Sequence, residues 1–133
     1  MVATVGRFPT VGLYARDMHE LGIANSVMEA ARAEVQRRPG TRLSRIGLRI
    51  GDLAGIDPEA LSFCYQALVK ETDLESVALE IERREWRQEC PSCRRAFAVV
   101  DCETACPACG ETQTKFAAGD ELELAFLELE DIS

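Results

Sequence analysis

The chain has 133 residues, 47% of them hydrophobic and 29% charged, a composition that fits a globular fold and excludes a disordered chain. Its formal charge of -8 argues against nucleic acid as the main partner, because neutralising phosphates takes an excess of Lys and Arg. No apolar run approaches the ~18 residues that span a bilayer, and residues 1–17 lack the apolar segment of a secretory signal.

Residues 1–17 carry Gly6, Pro9 and Gly12 and show no sustained period, as expected of a flexible N-terminal extension. From Leu21 the apolar positions Leu21, Ala24, Met28, Ala31 and Val35 recur at three- and four-residue steps, which predicts an amphipathic helix from about 20 to 38. Pro39-Gly40 ends it. Residues 43–52 predict a strand, with Ile46, Leu48 and Ile50 alternating against Arg45, Gly47 and Arg49. Asp57 as N-cap and Pro58 in the first helical position start a second helix, whose stripe is Leu61, Cys64 or Tyr65, and Leu68. A second strand runs from Val77 towards Trp86. A third spans residues 121–130, where Leu122, Leu124 and Phe126 give way to Leu127 and Leu129, so a bulge or sharp twist is expected between them.

Between the second and third strands stand Cys90-Pro91-Ser92-Cys93 and Cys106-Pro107-Ala108-Cys109, two Cys-x-x-Cys pairs separated by twelve residues. Each pair is a tight turn that can bring two thiolates onto one ion, and two such turns complete a tetrahedral four-sulfur shell. A closed shell of Cys90, Cys93, Cys106 and Cys109 leaves no open position, which points to structural Zn2+ rather than a catalytic metal. Phe97, Val99 and Phe116 are the candidates to cover the core of this small module, and metal binding must supply most of its folding free energy. Cys102 fits neither pair and is expected as a spare thiol, while Cys64 is expected in the core. Four cysteines in metal spacing fit a reducing compartment, so the expected localisation is cytoplasmic.

Several segments resemble one family. Met18-His19-Glu20-Leu21, Leu48-Arg49-Ile50-Gly51-Asp52-Leu53-Ala54-Gly55-Ile56-Asp57-Pro58-Glu59-Ala60-Leu61, the doubled Cys-x-x-Cys and Ala118-Gly119-Asp120-Glu121-Leu122 occur in the order found in hydrogenase maturation nickel metallochaperones of the HypA/HybF type. The resemblance spans residue 18 to about 130. It implies an α+β (mixed α/β) fold, two helices on a three-stranded sheet with an inserted zinc-ribbon-like domain of four cysteine ligands. The expected division is 18–86 plus 117–131 as a nickel-binding α/β domain and 87–116 as a structural zinc domain. It further implies Ni2+ as cargo, delivery to a [NiFe]-hydrogenase large-subunit precursor (urease in some members), a nickel-handling maturation GTPase as partner, and no enzymatic activity. No nucleic acid or membrane partner is expected, and the protein is a monomer or a homodimer. The alternative from a different class is a zinc-ribbon interaction adaptor without transferable metal.

The resemblance places nickel at His19, with Glu20 and Asp57 as assisting carboxylates. His19 is the single histidine of the chain, and Ni(II) takes nitrogen and oxygen donors in tetragonal arrangements. Glu20 also suits the positive end of the first helix, and Asp57 is by default an N-cap. In the family the histidine follows the initiating methionine directly, whereas here it is residue 19. Translation from Met18, cleavage of the leader, or a site made from His19, backbone amides and a carboxylate each reconcile the two; a start at Met18 is the most economical.

Overall fold

The computed structural model describes residues 2–3 and 20–132. In chain order they form β1 (Val2–Ala3), α1 (Glu20–Gln36), β2 (Thr41–Gly51), α2 (Pro58–Val69), β3 (Ala78–Arg84), β4 (Arg87–Glu89), β5 (Ala96–Ala98), β6 (Lys115–Ala118) and β7 (Leu122–Asp131). Four strands make one sheet in the order β1-β7-β2-β3, and β5-β4-β6 make a second. The three long strands and two helices are those expected. The two-residue edge strand β1, paired with Glu128 and Leu127, is an addition to the three-stranded sheet. The rest of the expected extension, residues 1 and 4–17, lies outside the described residues.

β2 is the central strand. It runs parallel to β3, with α2 as the crossover, and antiparallel to β7. Leu43, Ile46, Leu48 and Ile50 of β2 and Leu122, Leu124, Leu127 and Leu129 of β7 form one buried face. The helices cover that face with Ile23, Ala24, Val27, Met28 and Ala31 from α1, and Leu61, Tyr65 and Val69 from α2. The stripe of α1 therefore begins at Ile23; Leu21, expected at its head, is 52% exposed. On α2 the position left open between Cys64 and Tyr65 belongs to Tyr65, whose hydroxyl donates to the carbonyl of Val77 at 2.9 Å.

The bulge expected in β7 after Phe126 is present, but just before that residue. Gly47 pairs with Phe126 and Leu48 with Leu124, so Ala125 is the extra residue. Its consequence differs from the sequence expectation, because the bulge turns Phe126 to the face opposite the leucines. There the ring lies over the bare backbone of Gly47, where a Cβ would come within 2.0 Å of Phe126 Cε1, and the Arg45 guanidinium sits 5.3 Å from the ring centroid.

The rest of that face is ionic. Arg45 pairs with Glu128 and Glu80, and Arg49 with Glu82 and Glu123, so these two arginines of the central strand each bridge glutamates on both neighbours. Such half-exposed pairs contribute little individually. A one-residue slip would turn the glutamates to the leucine face and break these pairs, so their main effect is on strand register.

The loop after β2 touches both segments that lead into the second sheet. Asp52 N–H donates to Arg84 O at 2.9 Å, and Leu53 N–H donates to Gly119 O at 2.7 Å. Gly119 adopts φ +128°, and a Cβ there would meet Trp86 Cα at 2.7 Å, so only glycine allows the two segments to cross this closely. Within the second sheet the buried Gln88 accepts from Trp86 Nε1 at 2.9 Å and donates to Thr114 Oγ1 at 3.1 Å, which satisfies its amide.

Candidate metal centre

The two cysteine pairs fold into matching turns. Cys90 N–H donates to Arg95 O at 2.8 Å and Arg94 N–H returns to Cys90 O at 2.8 Å. The second turn repeats this, with Cys106 N–H to Glu111 O at 2.9 Å and Gly110 N–H to Cys106 O at 2.8 Å. In both, the residue after the second cysteine is left-handed, Arg94 at φ 64° and Gly110 at φ 80°. Each turn thereby aims two sulfurs and several N–H groups at a common centre. Ser92 Oγ, donating to Glu111 Oε1 at 3.1 Å, links the two turns side by side.

All four sulfurs lie within 4.8 Å of one another, with Cys90 to Cys109 and Cys93 to Cys106 each at 3.6 Å. A tetrahedral shell with metal–sulfur bonds of about 2.3 Å places sulfurs about 3.8 Å apart, so the donor set and spacing fit one ion of that size. Disulfides would require about 2.05 Å. All four are free cysteines, and Cys90 and Cys106 are buried.

The electrostatics favour a cation. The backbone N–H of Cys109, opposed by burial and assisted by the N–H of Ala108, holds the Cys106 thiol down to about 6. Cys109 is pushed up to about 12: the N–H of Glu111 pulls it down, but the Cys90 sulfur, burial and the other two sulfurs outweigh that pull. Four thiolates this close repel one another, and a bound metal ion replaces their protons.

Among the described residues these four are the one group of three or more His, Cys, Asp or Glu side chains that converges on a point. Cys102 is outside it, exposed at the tip of a hairpin turn bridged by Val100 and Glu103. Phe97 and Val99 are half-buried against the second sheet, whereas Phe116, expected to cover the module's core, is 47% exposed.

Of the residues expected at nickel, Glu20 and Asp57 are among the described residues. His19, with Met18, lies outside the described residues. Glu20 is the first residue of α1 and half-buried. Asp57 is an exposed N-cap, in extended conformation at φ -82° and ψ 113°, with Oδ1 accepting from Glu59 N–H at 3.0 Å. Capping uses one carboxylate oxygen. Asp52 pairs with Arg83 at 2.9 Å, in the turn expected for it. Sequence reasoning missed the N–H donors at Arg94 and Gly110; the glycine carried a signal, and Arg94 carried none.

Residues 18–129 match the family profile described as "Hydrogenase/urease nickel incorporation, metallochaperone, hypA". The chain belongs to the HypA family. The hydrogenase maturation factor HypA of Geobacter metallireducens is 40% identical over 113 residues, which cover 85% of this chain and 100% of that relative. That of Pelodictyon phaeoclathratiforme is 38% identical over 114 residues, 86% of this chain and 97% of the relative. The solution structure of the Ni metallochaperone HypA from Helicobacter pylori matches with a TM-score of 0.55 at 19% identity, covering 87% of this chain and 99% of that one. At that identity the likeness concerns the fold alone. Family membership also places the chain among hydrogenase maturation factors.

Proposed function

We propose that this HypA-family chain is a nickel metallochaperone that keeps Zn2+ permanently in the Cys90–Cys93–Cys106–Cys109 shell and carries Ni2+ at a separate site built on His19. Family membership across residues 18–129 carries this reading, since the matched segment begins at Met18-His19-Glu20. The four-sulfur geometry supports the division of labour. A closed thiolate shell holds its metal tightly and suits a structural ion, whereas a cargo ion must leave. Nickel at one imidazole with backbone and carboxylate donors meets the coordination Ni(II) prefers and remains accessible for transfer. Glu20, next in sequence, is the nearest candidate carboxylate. Asp57 assists with the oxygen that its cap leaves free.

In this reading residues 18–86 and 117–131 are the nickel-handling domain, and 87–116 the zinc domain. The chain acts without catalysing a reaction, in the cytoplasm. It receives or hands over nickel with a maturation GTPase and serves a [NiFe]-hydrogenase large-subunit precursor, with urease as a second recipient. The test is titration of the zinc-loaded full chain with Ni(II), followed by ligand-field absorption, for the native sequence and His19→Ala. One equivalent should bind the native chain, and His19→Ala should lose it while retaining zinc. Unchanged nickel uptake in His19→Ala contradicts the reading. A native chain that holds zinc and takes up no nickel is an adaptor instead.

A further inference from the structure

β3 is the outer strand of the main sheet: among the described residues nothing pairs with its far side. Alternate residues of a seven-residue edge strand turn N–H and C=O groups outward, the template on which another chain adds a strand. Here the edge is also shaped. Two adjoining hollows, of about 490 and 340 Å³, run between α2 and β3 and share Ser62 and Gln66 as a common wall. Leu79 lines one hollow and Ile81 the other; both are only half-buried although they point to the core side of the sheet. Phe63, 73% exposed, stands on the α2 side of the second hollow.

The opposite face of the same edge carries charge. Glu80 and Glu82 meet Arg45 and Arg49 on their inner flank at 2.6 and 3.0 Å, yet their side chains remain 50% and 54% exposed. Across the sheet the charges therefore alternate as β7 glutamate, β2 arginine, β3 glutamate. The second oxygen of Glu82 meets only Arg84 of the same strand, at 3.8 Å, and Glu80 meets no further cation among the described residues, so the next member of the column is basic.

From these two faces we infer that β3 is a docking edge for an extended segment of a partner protein in which apolar and basic residues alternate. Its backbone extends the sheet, its apolar side chains enter the hollows beside Phe63, Leu79 and Ile81, and its lysines or arginines complete the columns at Glu80 and Glu82. The charge of -8 on the whole chain adds long-range attraction for such a segment. A second copy of β3 is a poor occupant. Antiparallel pairing centred on Ile81 would set Glu80 of each copy against Glu82 of the other, and like charges directly opposite are destabilising.

The test uses the zinc-loaded full chain and three blocked ten-residue peptides: alternating Val and Lys, alternating Val and Glu, and the Val/Lys composition rearranged to a helical period. Binding is read by fluorescence anisotropy and its location by backbone amide shifts and hydrogen exchange. The alternating Val/Lys peptide should bind, shift and protect amides within 78–84, and perturb α2 around Phe63, while the other two bind at least tenfold more weakly. Glu80→Gln with Glu82→Gln should weaken it about tenfold, and Phe63→Ala, at an exposed position that leaves the fold intact, should weaken it severalfold. Any of four results overturns the inference. These are equal binding of the three peptides, shifts that map away from β3 and α2, protection of the outward amides in the free protein, and self-association through β3.

Discussion

Arg94 and Gly110 make the same turn with unequal cost. Both hold the left-handed conformation in which their N–H donates back to the first cysteine's carbonyl, but a side chain in that region is strained. Arg94 is exposed, and its side chain is too far out in solvent to offset that strain by packing. Arg94→Gly should therefore stabilise the metal-loaded turn by about 0.5–1 kcal/mol, read as a several-fold higher concentration of a competing chelator needed to withdraw zinc. Tyr65 offers a second test at this scale. Burial pushes its phenol up to about 12, whereas an exposed tyrosine ionises near 10. The folded state thus prefers the protonated ring, and its contribution is complete below about pH 10 and disappears as pH rises towards 12. Denaturant midpoints of the native chain should fall across that interval. Tyr65→Phe should show a shallower fall, having lost about 1 kcal/mol at neutral pH with the bond to Val77 O.

Among the elements, β2 and β7 show what the sequence could reveal and what it could not. The alternation of Ile46, Leu48 and Ile50 marked the central strand, and the broken alternation after Phe126 marked a bulge nearby, because each is a local pattern with a period of two. Which side Phe126 would take was not legible. It depends on the ring finding a flat seat across the sheet, which Gly47 provides, and that pairing is not local. Gly47→Ala should therefore cost roughly 1–3 kcal/mol in thermal unfolding, because the ring must leave its seat. Combined with Phe126→Leu the cost should be less than additive, and strict additivity would count against the contact. The helices divide similarly. Asp57-Pro58 announces the start of α2 through capping chemistry, but the periodicity of α1 starts its stripe at Leu21, whereas burial begins at Ile23. The arginines of β2 and glutamates of β3 and β7 were visible individually as solvated alternation. Their arrangement into bridging columns needed the register.

At the scale of the molecule, the paired Cys-x-x-Cys motifs made the four-sulfur centre fully legible, since metal chemistry constrains spacing within each turn and the fold only had to bring the turns together. The proposed cargo site was legible only through family resemblance. His19 is a single residue, and no local pattern distinguishes a lone metal-binding histidine from a surface one. The proposed function therefore rests on two metals at two places with different donor sets. X-ray absorption at the zinc and nickel edges of one sample, the full chain loaded with one equivalent of each metal, tests this most directly. The expected result is zinc surrounded by four sulfurs at about 2.3 Å and nickel surrounded by nitrogen and oxygen donors, including an imidazole. Sulfur in the nickel shell, or zinc displaced from the cysteines when nickel is added, would contradict it.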